Sequence, residues 1–152
     1  MSAIPLRTWR ERWVQVLLFE AGGLAVVTPL YRWVTGEAWG ESLGLLALLS
    51  LIATLWQAGY NAACDALEAR WAKRPAHLRP WRWRVAHAVG FEVTLFLLTW
   101  PVITLWTGWS LWAAAAADVA LALVYALYAL IYHKLFDRWR PVTSGVAARV
   151  PS

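Results

Sequence analysis

The chain alternates between four long apolar runs and short polar segments. The apolar runs cover residues 13–33, 42–64, 85–106 and 111–132. A helix needs about 20 apolar residues to cross the ~30 Å hydrocarbon core of a bilayer, and each run meets that length. The pattern therefore predicts an all-α membrane protein with four transmembrane helices.

The polar segments between the runs divide the chain into two helix pairs. Residues 35–41 and 107–110 are short and contain glycine, which favours tight helical hairpins. The longer segment between the second and third runs is rich in arginine and contains two prolines, so we expect a loop there. The predicted units are a first helix pair, a basic cytoplasmic loop, a second helix pair and a loose tail, at residues 7–65, 66–83, 84–140 and 141–152.

The second half of the sequence repeats the first with an offset of 72 residues. Phe19-Glu20 returns as Phe91-Glu92, and the shared residue types continue over more than 50 positions without a gap, at Arg12 and Arg84, Pro29 and Pro101, Gly36 and Gly108, and Asp65 and Asp137. Such matches indicate an internal duplication. Because each repeat holds two spans, the second copy enters the membrane in the same direction as the first. We expect tandem parallel repeats related by an axis along the membrane normal.

Charge and composition restrict the function. The chain is 61% hydrophobic and carries a net charge of +5, but its bases flank the apolar runs and form no separate basic domain, so lipid headgroups are favoured over nucleic acid. Of the 14 lysines and arginines, only Arg32 lies in the outer connections, which predicts that both termini are cytoplasmic. Most of the 13 tryptophans fall near span ends, as in an aromatic belt.

Two acids interrupt the apolar runs. Glu20 follows Arg12 by eight residues, about 12 Å along a helix, which places its carboxyl near the middle of the membrane. An acid there costs roughly 2.5–3.5 kcal/mol and commonly marks an ion or proton path. We interpret Glu20 as a carboxyl that exchanges a proton for a cation. The alternative, an acid that only fixes helix packing, stays open for Glu20 and more so for its counterpart Glu92.

Other polar side chains in the spans have two interpretations each. His87 and Glu92 lie about 140° apart on a helix, so they do not bond each other. His87 either reaches a neighbouring helix, as a proton relay or a structural donor, or lies near the headgroups. Asp118 is ~28 Å along its helix from Asp137 and is either an exit site or an acid bonded at a helix contact.

Aromatic and charged residues near the cytoplasmic side complete the candidate set. Four aromatic residues in the inner halves of the second and fourth spans offer ring faces to a cationic ligand, or serve only as packing: Trp56, Tyr60, Tyr125 and Tyr128. Four charged residues at the cytoplasmic edge are interpreted as scaffolding that forms ion pairs across the repeats: Arg12, Arg84, Asp65 and Asp137. The single cysteine, Cys64, excludes an internal disulfide, and we expect no metal or other cofactor.

These motifs resemble the proteobacterial antimicrobial compound efflux family, whose spans one and three carry an Arg-x-x-His-Ala-x-x-Phe/Tyr-Glu motif. The third span matches it fully, at Arg84, His87, Ala88, Phe91 and Glu92. The first span matches at Arg12, Phe19 and Glu20 but has Gln15 in place of histidine. The second span matches the family at Trp56, Tyr60, Asn61 and Asp65, and the fourth offers Asp118, Tyr125 and Asp137. His133 occupies the asparagine position of the fourth span.

The resemblance implies proton-coupled export of cationic, often amphipathic biocides and dyes, such as chlorhexidine and acriflavine, across the bacterial inner membrane. Short diamines are possible physiological substrates. Because an amide does not titrate, Gln15 leaves coupling in the first half to another partner or to His87 alone. The proposed site residues are Glu20, Glu92 and His87 for protons and Glu20, Trp56, Tyr60, Asn61, Asp118, Tyr125 and Tyr128 for substrate.

Competing functions are a membrane adaptor that does not transport and, less favoured, an intramembrane enzyme. The sequence contains no nucleotide-binding loop or nucleophile motif, so we expect a secondary transporter driven by an ion gradient, with protons favoured over sodium. Four short helices leave little room for an enclosed path. We therefore expect a homodimer.

Overall fold

The structure, a computed structural model, describes residues 9–71 and 80–139, which form four long helices. Helix α1 is Trp9–Thr35, α2 is Trp39–Trp71, α3 is Trp81–Thr107 and α4 is Leu111–Trp139. Each is long and apolar enough to cross a membrane. The prediction of an all-α membrane protein with four transmembrane helices is confirmed.

Two helices continue beyond the apolar runs. α2 extends past residue 64 to Trp71, and α4 extends past residue 132 to Trp139. Residues 66–71 were expected in the basic loop, whereas in the structure they belong to α2; the extension of α4 lies within the predicted second helix pair, residues 84–140. Alanine, leucine, glutamate and arginine are strong helix formers, and no proline interrupts either extension. The helix therefore continues although the residues become more polar. The predicted tail, residues 141–152, lies outside the described residues.

The two hairpin turns have the same construction. Gly36 and Gly108 adopt positive φ angles of 75° and 69°, a conformation that glycine adopts without steric penalty. Their N–H groups donate to the carbonyls of Arg32 at 2.8 Å and Thr104 at 3.0 Å, which closes the preceding helix. In each turn a threonine hydroxyl accepts a hydrogen bond from the N–H two residues on, at Thr35 and Thr107. Gly36 and Gly108, which are equivalent in the sequence repeat, therefore also have the same backbone conformation.

The helices pack as a ring in which α1 contacts α2 and α4, and α3 contacts α2 and α4. Each hairpin reverses the chain direction, so α1 and α3 point the same way, as do α2 and α4. This is the arrangement expected for tandem parallel two-helix repeats.

The buried core lies in the half of the bundle next to the hairpin turns. It consists of Val27, Tyr31, Leu45, Leu46, Leu49, Ile103 and Ala114. Large apolar side chains also cover the outside of the bundle, with Leu105 and Trp112 85% and 86% exposed. On a membrane protein such residues face lipid. The half next to the termini holds most of the polar and aromatic side chains described below; Asp118 and Thr99 lie in the other half.

Candidate substrate and proton site

The Glu20 carboxylate is held by two hydroxyl groups of the neighbouring helix. Thr54 Oγ1 donates to one carboxylate oxygen at 2.9 Å, and Ser50 Oγ donates to the other. Ser50 and Thr54 lie one turn apart on α2, so both hydroxyls face α1. Sequence analysis missed them, although they are the hydroxyl side chains spaced four residues apart in an otherwise apolar stretch of α2.

Two tyrosines of α4 approach the same part of α1. The Tyr128 hydroxyl donates to the carbonyl of Phe19 at 2.9 Å, and Tyr125 and Tyr128 both pack against Gly23. The buried Tyr125 hydroxyl has no hydrogen-bond partner among the described residues. Glu20 thus lies between α2 hydroxyls and α4 aromatic rings.

Glu92, the counterpart of Glu20, has different surroundings. It is exposed on α3, and its carboxylate makes no hydrogen bond within residues 9–71 and 80–139. The counterparts of Ser50 and Thr54 on α4 are Ala122 and Ala126, which carry no hydroxyl. The two acids of the duplication are therefore not equivalent.

His87 reaches the neighbouring helix, which was one of the two alternatives. Its Nε2 lies 3.1 Å from Asn61 Oδ1 on α2. The hydroxyl of Tyr60, also on α2, donates to the backbone carbonyl of His87 at 3.1 Å. The Tyr60 ring packs between His87 and Phe91, with centroid distances of 5.0 and 5.6 Å. The structure thus brings together His87, Asn61 and Tyr60, all of which the sequence had singled out.

Gln15 makes the corresponding contact in the first half. Its Nε2 lies 3.2 Å from His133 Nδ1 on α4, and the Tyr132 hydroxyl donates to the backbone carbonyl of Gln15 at 2.8 Å. The Phe19 ring stacks on the His133 imidazole at 5.7 Å between centroids. Sequence analysis did not place His133 in the site, although it did note that His133 stands at the asparagine position of the repeat.

Asp118 is buried, 8% exposed, in the half of the bundle next to the hairpin turns. Thr99 Oγ1 of α3 donates to its carboxylate at 2.8 Å. With the offset of 72 residues, the counterparts of this pair are Leu46 and Val27, both core residues. The second half therefore replaces an apolar core contact with a buried acid and its donor.

The remaining candidate residues either link two helices or lie near the ends of the helices next to the termini. Trp56 Nε1 donates to Thr94 Oγ1 of α3 at 3.1 Å, so this indole links two helices. Arg84, Asp65 and Asp137 are exposed near the ends of their helices next to the termini, and the Arg12 side chain lies outside the described residues. The predicted ion pairs across the repeats stay a prediction. Within the described ranges, no group of His, Cys, Asp and Glu side chains could hold a metal ion.

Comparison with known proteins agrees with this duplicated architecture. The sequence model of a family described as the chlorhexidine efflux transporter matches residues 7–70 and again residues 79–142. The two matched ranges have the same offset as the motif copies. The chain belongs to this family, the proteobacterial antimicrobial compound efflux family. Membership makes it a transporter and not an enzyme.

Two relatives carry the same name. The chain is 28% identical over 135 residues to a short-chain diamines transporter of Vibrio parahaemolyticus, covering 88% of this chain and 93% of the relative. It is 22% identical over 128 residues to a short-chain diamines transporter of Acinetobacter baylyi, covering 84% and 88%. No solved structure matches the chain. As a family member with four apolar helices, the protein is a multi-pass membrane transporter of small molecules.

Proposed function

We propose that the protein exports amphipathic organic cations in exchange for protons, and that Glu20 is the group for which proton and cation compete. The main support for this proposal is that the Glu20 carboxylate is bonded by neutral groups. The carboxylate accepts hydrogen bonds from Ser50 and Thr54, which are neutral, and has no basic partner among the described residues. Its negative charge is therefore left for a proton or a cationic ligand to neutralise.

The aromatic residues next to Glu20 suit the same class of ligand. A cation over a tyrosine ring gains roughly 0.5–2 kcal/mol, and Tyr125 and Tyr128 approach α1 within one turn of Glu20, at Gly22 and Gly23. The Tyr125 hydroxyl is a further hydrogen-bonding group for an amine. The cationic nitrogen that biocides and diamines share fits this site. We propose Asp118 as a second anionic site, nearer the hairpin turns.

Competition at one carboxylate gives the coupling. When Glu20 is protonated it no longer attracts the cation, and when it is charged it binds the cation or takes up a proton. If the protein opens alternately to the two sides of the membrane, this competition exchanges a proton for a cation. Protonation at His87 and Glu92 accompanies this exchange in the proposed mechanism, and Asn61, Trp56 and Tyr60 shape the region around His87.

Proton release on substrate binding tests the proposal. Adding acriflavine to purified protein in weakly buffered detergent solution should release protons from the wild type. The release should be largest at a pH where Glu20 is still protonated without the dye. Tight dye binding with no proton release over the range from about pH 5 to pH 8 would contradict competition at a carboxylate.

The proposed setting is the bacterial inner membrane with both termini in the cytoplasm, as the distribution of Lys and Arg favours. We also propose a homodimer in which Glu92 faces the second copy. An acid exposed to lipid within a span costs roughly 2.5–3.5 kcal/mol, and Glu92 is exposed on the single chain. Glu92→Cys in a Cys64→Ala background should form a disulfide-linked dimer in membranes, whereas Val26→Cys on α1 should not. Failure of Glu92→Cys to cross-link would contradict this interface.

A further inference from the structure

Two contacts between an imidazole and an amide connect the helices in the half of the bundle next to the termini. In the second half of the chain, His87 Nε2 lies 3.1 Å from Asn61 Oδ1 and connects α3 to α2. In the first half, Gln15 Nε2 lies 3.2 Å from His133 Nδ1 and connects α1 to α4.

The two pairs occupy equivalent positions with their residue types exchanged. The offset of 72 residues places Gln15 at the position of His87, and Asn61 at the position of His133. Where α3 carries an imidazole, the equivalent position of α1 carries an amide. Where α2 carries an amide, the equivalent position of α4 carries an imidazole. The backbone contact beside each pair is kept, with Tyr60 donating to the carbonyl of His87 and Tyr132 donating to the carbonyl of Gln15.

We propose that His133 is the proton-exchanging imidazole of the first half, and that it takes over the role of the histidine that position 15 lacks. Each half then retains one titratable imidazole bonded to an amide across a helix contact. The proposal rests on the proposed proton exchange. Of the two alternatives left open by Gln15, another partner or His87 alone, the proposal takes the first and names His133 as that partner.

An amide is a suitable partner for an imidazole that changes charge. Neutral imidazole has one donor and one acceptor nitrogen, whereas imidazolium has two donors. Gln15 presents its NH₂ group to His133, and Asn61 presents its carbonyl oxygen to His87. Rotation of the amide by 180° exchanges these roles, so each amide can bond its imidazole before and after protonation.

The side chains that contact His133 among the described residues carry no charge. From α1 it contacts Gln15 and the Phe19 ring, neither of which titrates. From α4 the Tyr132 ring contacts it at 5.5 Å between centroids. The nearest charged residues on the same helix faces are Glu11, one turn before Gln15, and Asp137, one turn after His133. His133 itself is exposed and lies in the part of α4 next to the C-terminal end of that helix.

A purely structural link between α1 and α4 makes a different prediction for a conservative change. His133→Asn leaves an amide opposite Gln15, so hydrogen bonding across the contact is kept while titration is lost. If the link is structural, dye transport and its pH profile should not change. If His133 exchanges protons, transport driven by a pH gradient should fall roughly 100-fold or more, the lower end of what a positioned acid–base group contributes.

The exchange of residue types supplies a rescue and a matched control. Gln15→His with His133→Asn gives the first half the arrangement found at His87 and Asn61, and should restore acriflavine transport in proteoliposomes to near the wild-type rate. In the second half, His87→Gln should impair transport, and His87→Gln with Asn61→His should restore it. The proposal is overturned if His133→Asn transports as the wild type does, or if the double variant of the first half folds and does not recover. His133→Gln replaces His133→Asn should that variant fail to fold.

A second measurement separates this inference from the proposed function. If the wild type moves no dye under a pH gradient, the proposed function fails. The inference about His133 is then tested separately, by the NMR signal of its imidazole. The chain has three histidines, and the signal lost in His133→Asn assigns that residue by NMR of histidine-labelled protein. Its protonation should change on adding acriflavine at constant pH. A His133 signal that the dye leaves unchanged would overturn the inference.

Discussion

The hydroxyl oxygen of Tyr128 lies 2.5 Å from the place that a Cβ atom at Gly22 would occupy. Real Cβ atoms do not approach that closely, so glycine at position 22 is what lets α4 lay this ring against α1. The second half has the same relationship between Gly90 and the Tyr60 hydroxyl, also at 2.5 Å. Close contacts of this kind hold the first hairpin against the second on both sides of the bundle.

Gly22→Ala should therefore destabilise the protein by about 1–3 kcal/mol, because the new methyl group must displace the Tyr128 hydroxyl. Adding Tyr128→Phe should recover part of this loss, since it removes the clashing oxygen but also the hydrogen bond to the carbonyl of Phe19. Gly59→Ala on α2 is the control, because a Cβ atom there meets nothing within 4 Å. Thermal unfolding in detergent measures all three, and equal melting temperatures for Gly22→Ala and Gly59→Ala would contradict the close contact.

The hydroxyl donors around Glu20 should matter for substrate affinity. Ser50→Ala with Thr54→Val removes both hydrogen bonds that orient the carboxylate, and bonds to a charged group contribute about 1.5–3 kcal/mol each. We expect dye binding at neutral pH to weaken at least several-fold. Thr104→Val is the control, since its hydroxyl bonds only to the backbone carbonyl of Trp100 among the described residues. Tryptophan fluorescence titration measures both, and equal affinities would count against the role of these hydroxyls.

The buried pair of Asp118 and Thr99 can be replaced by the pair found in the first half. Asp118→Leu with Thr99→Val copies Leu46 and Val27, so the variant should be at least as stable as the wild type, because an apolar pair often replaces a buried polar one without loss. We expect transport to fall all the same, since the second anionic site is gone. A stable variant that still transports at the wild-type rate would show that Asp118 serves packing alone.

Topology is tested independently of transport. The lysines and arginines of the termini and the central loop predict that both ends of the chain are cytoplasmic. A reporter fused after Pro141 should be active only as a cytoplasmic fusion. Activity of a periplasmic reporter at the same site would reverse the orientation.

Sequence analysis predicted the architecture because it depends on length, polarity and repetition. Four apolar runs, two glycine turns and one constant offset are sufficient to define two parallel helix pairs, and the structure has both turns in the same conformation. The helix ends were less predictable. Residues 66–71 are more polar than the apolar run but favour helix, so α2 continues where hydropathy falls.

The site was predicted in part, for a physical reason. Glu20, His87 and Asp118 stand out because charge within an apolar run is costly, whereas serine and threonine cost little there and attract no notice. Ser50, Thr54 and Thr99 became visible only through their contacts with acids. The pairing of Gln15 with His133 joins the first and last helices, and a sequence pattern gives no contact between residues so far apart.

The most direct test of Glu20 is acriflavine transport driven by a pH difference in liposomes that contain only this protein. Glu20→Gln keeps the size and hydrogen-bonding capacity of the side chain but cannot exchange a proton. We predict that this variant folds, moves no dye against its gradient and loses the pH dependence of dye binding, whereas Glu92→Gln, the matched change in the other repeat, keeps more activity. A Glu20→Gln protein that still accumulates dye in response to a pH gradient would contradict the proposed exchange at this carboxylate.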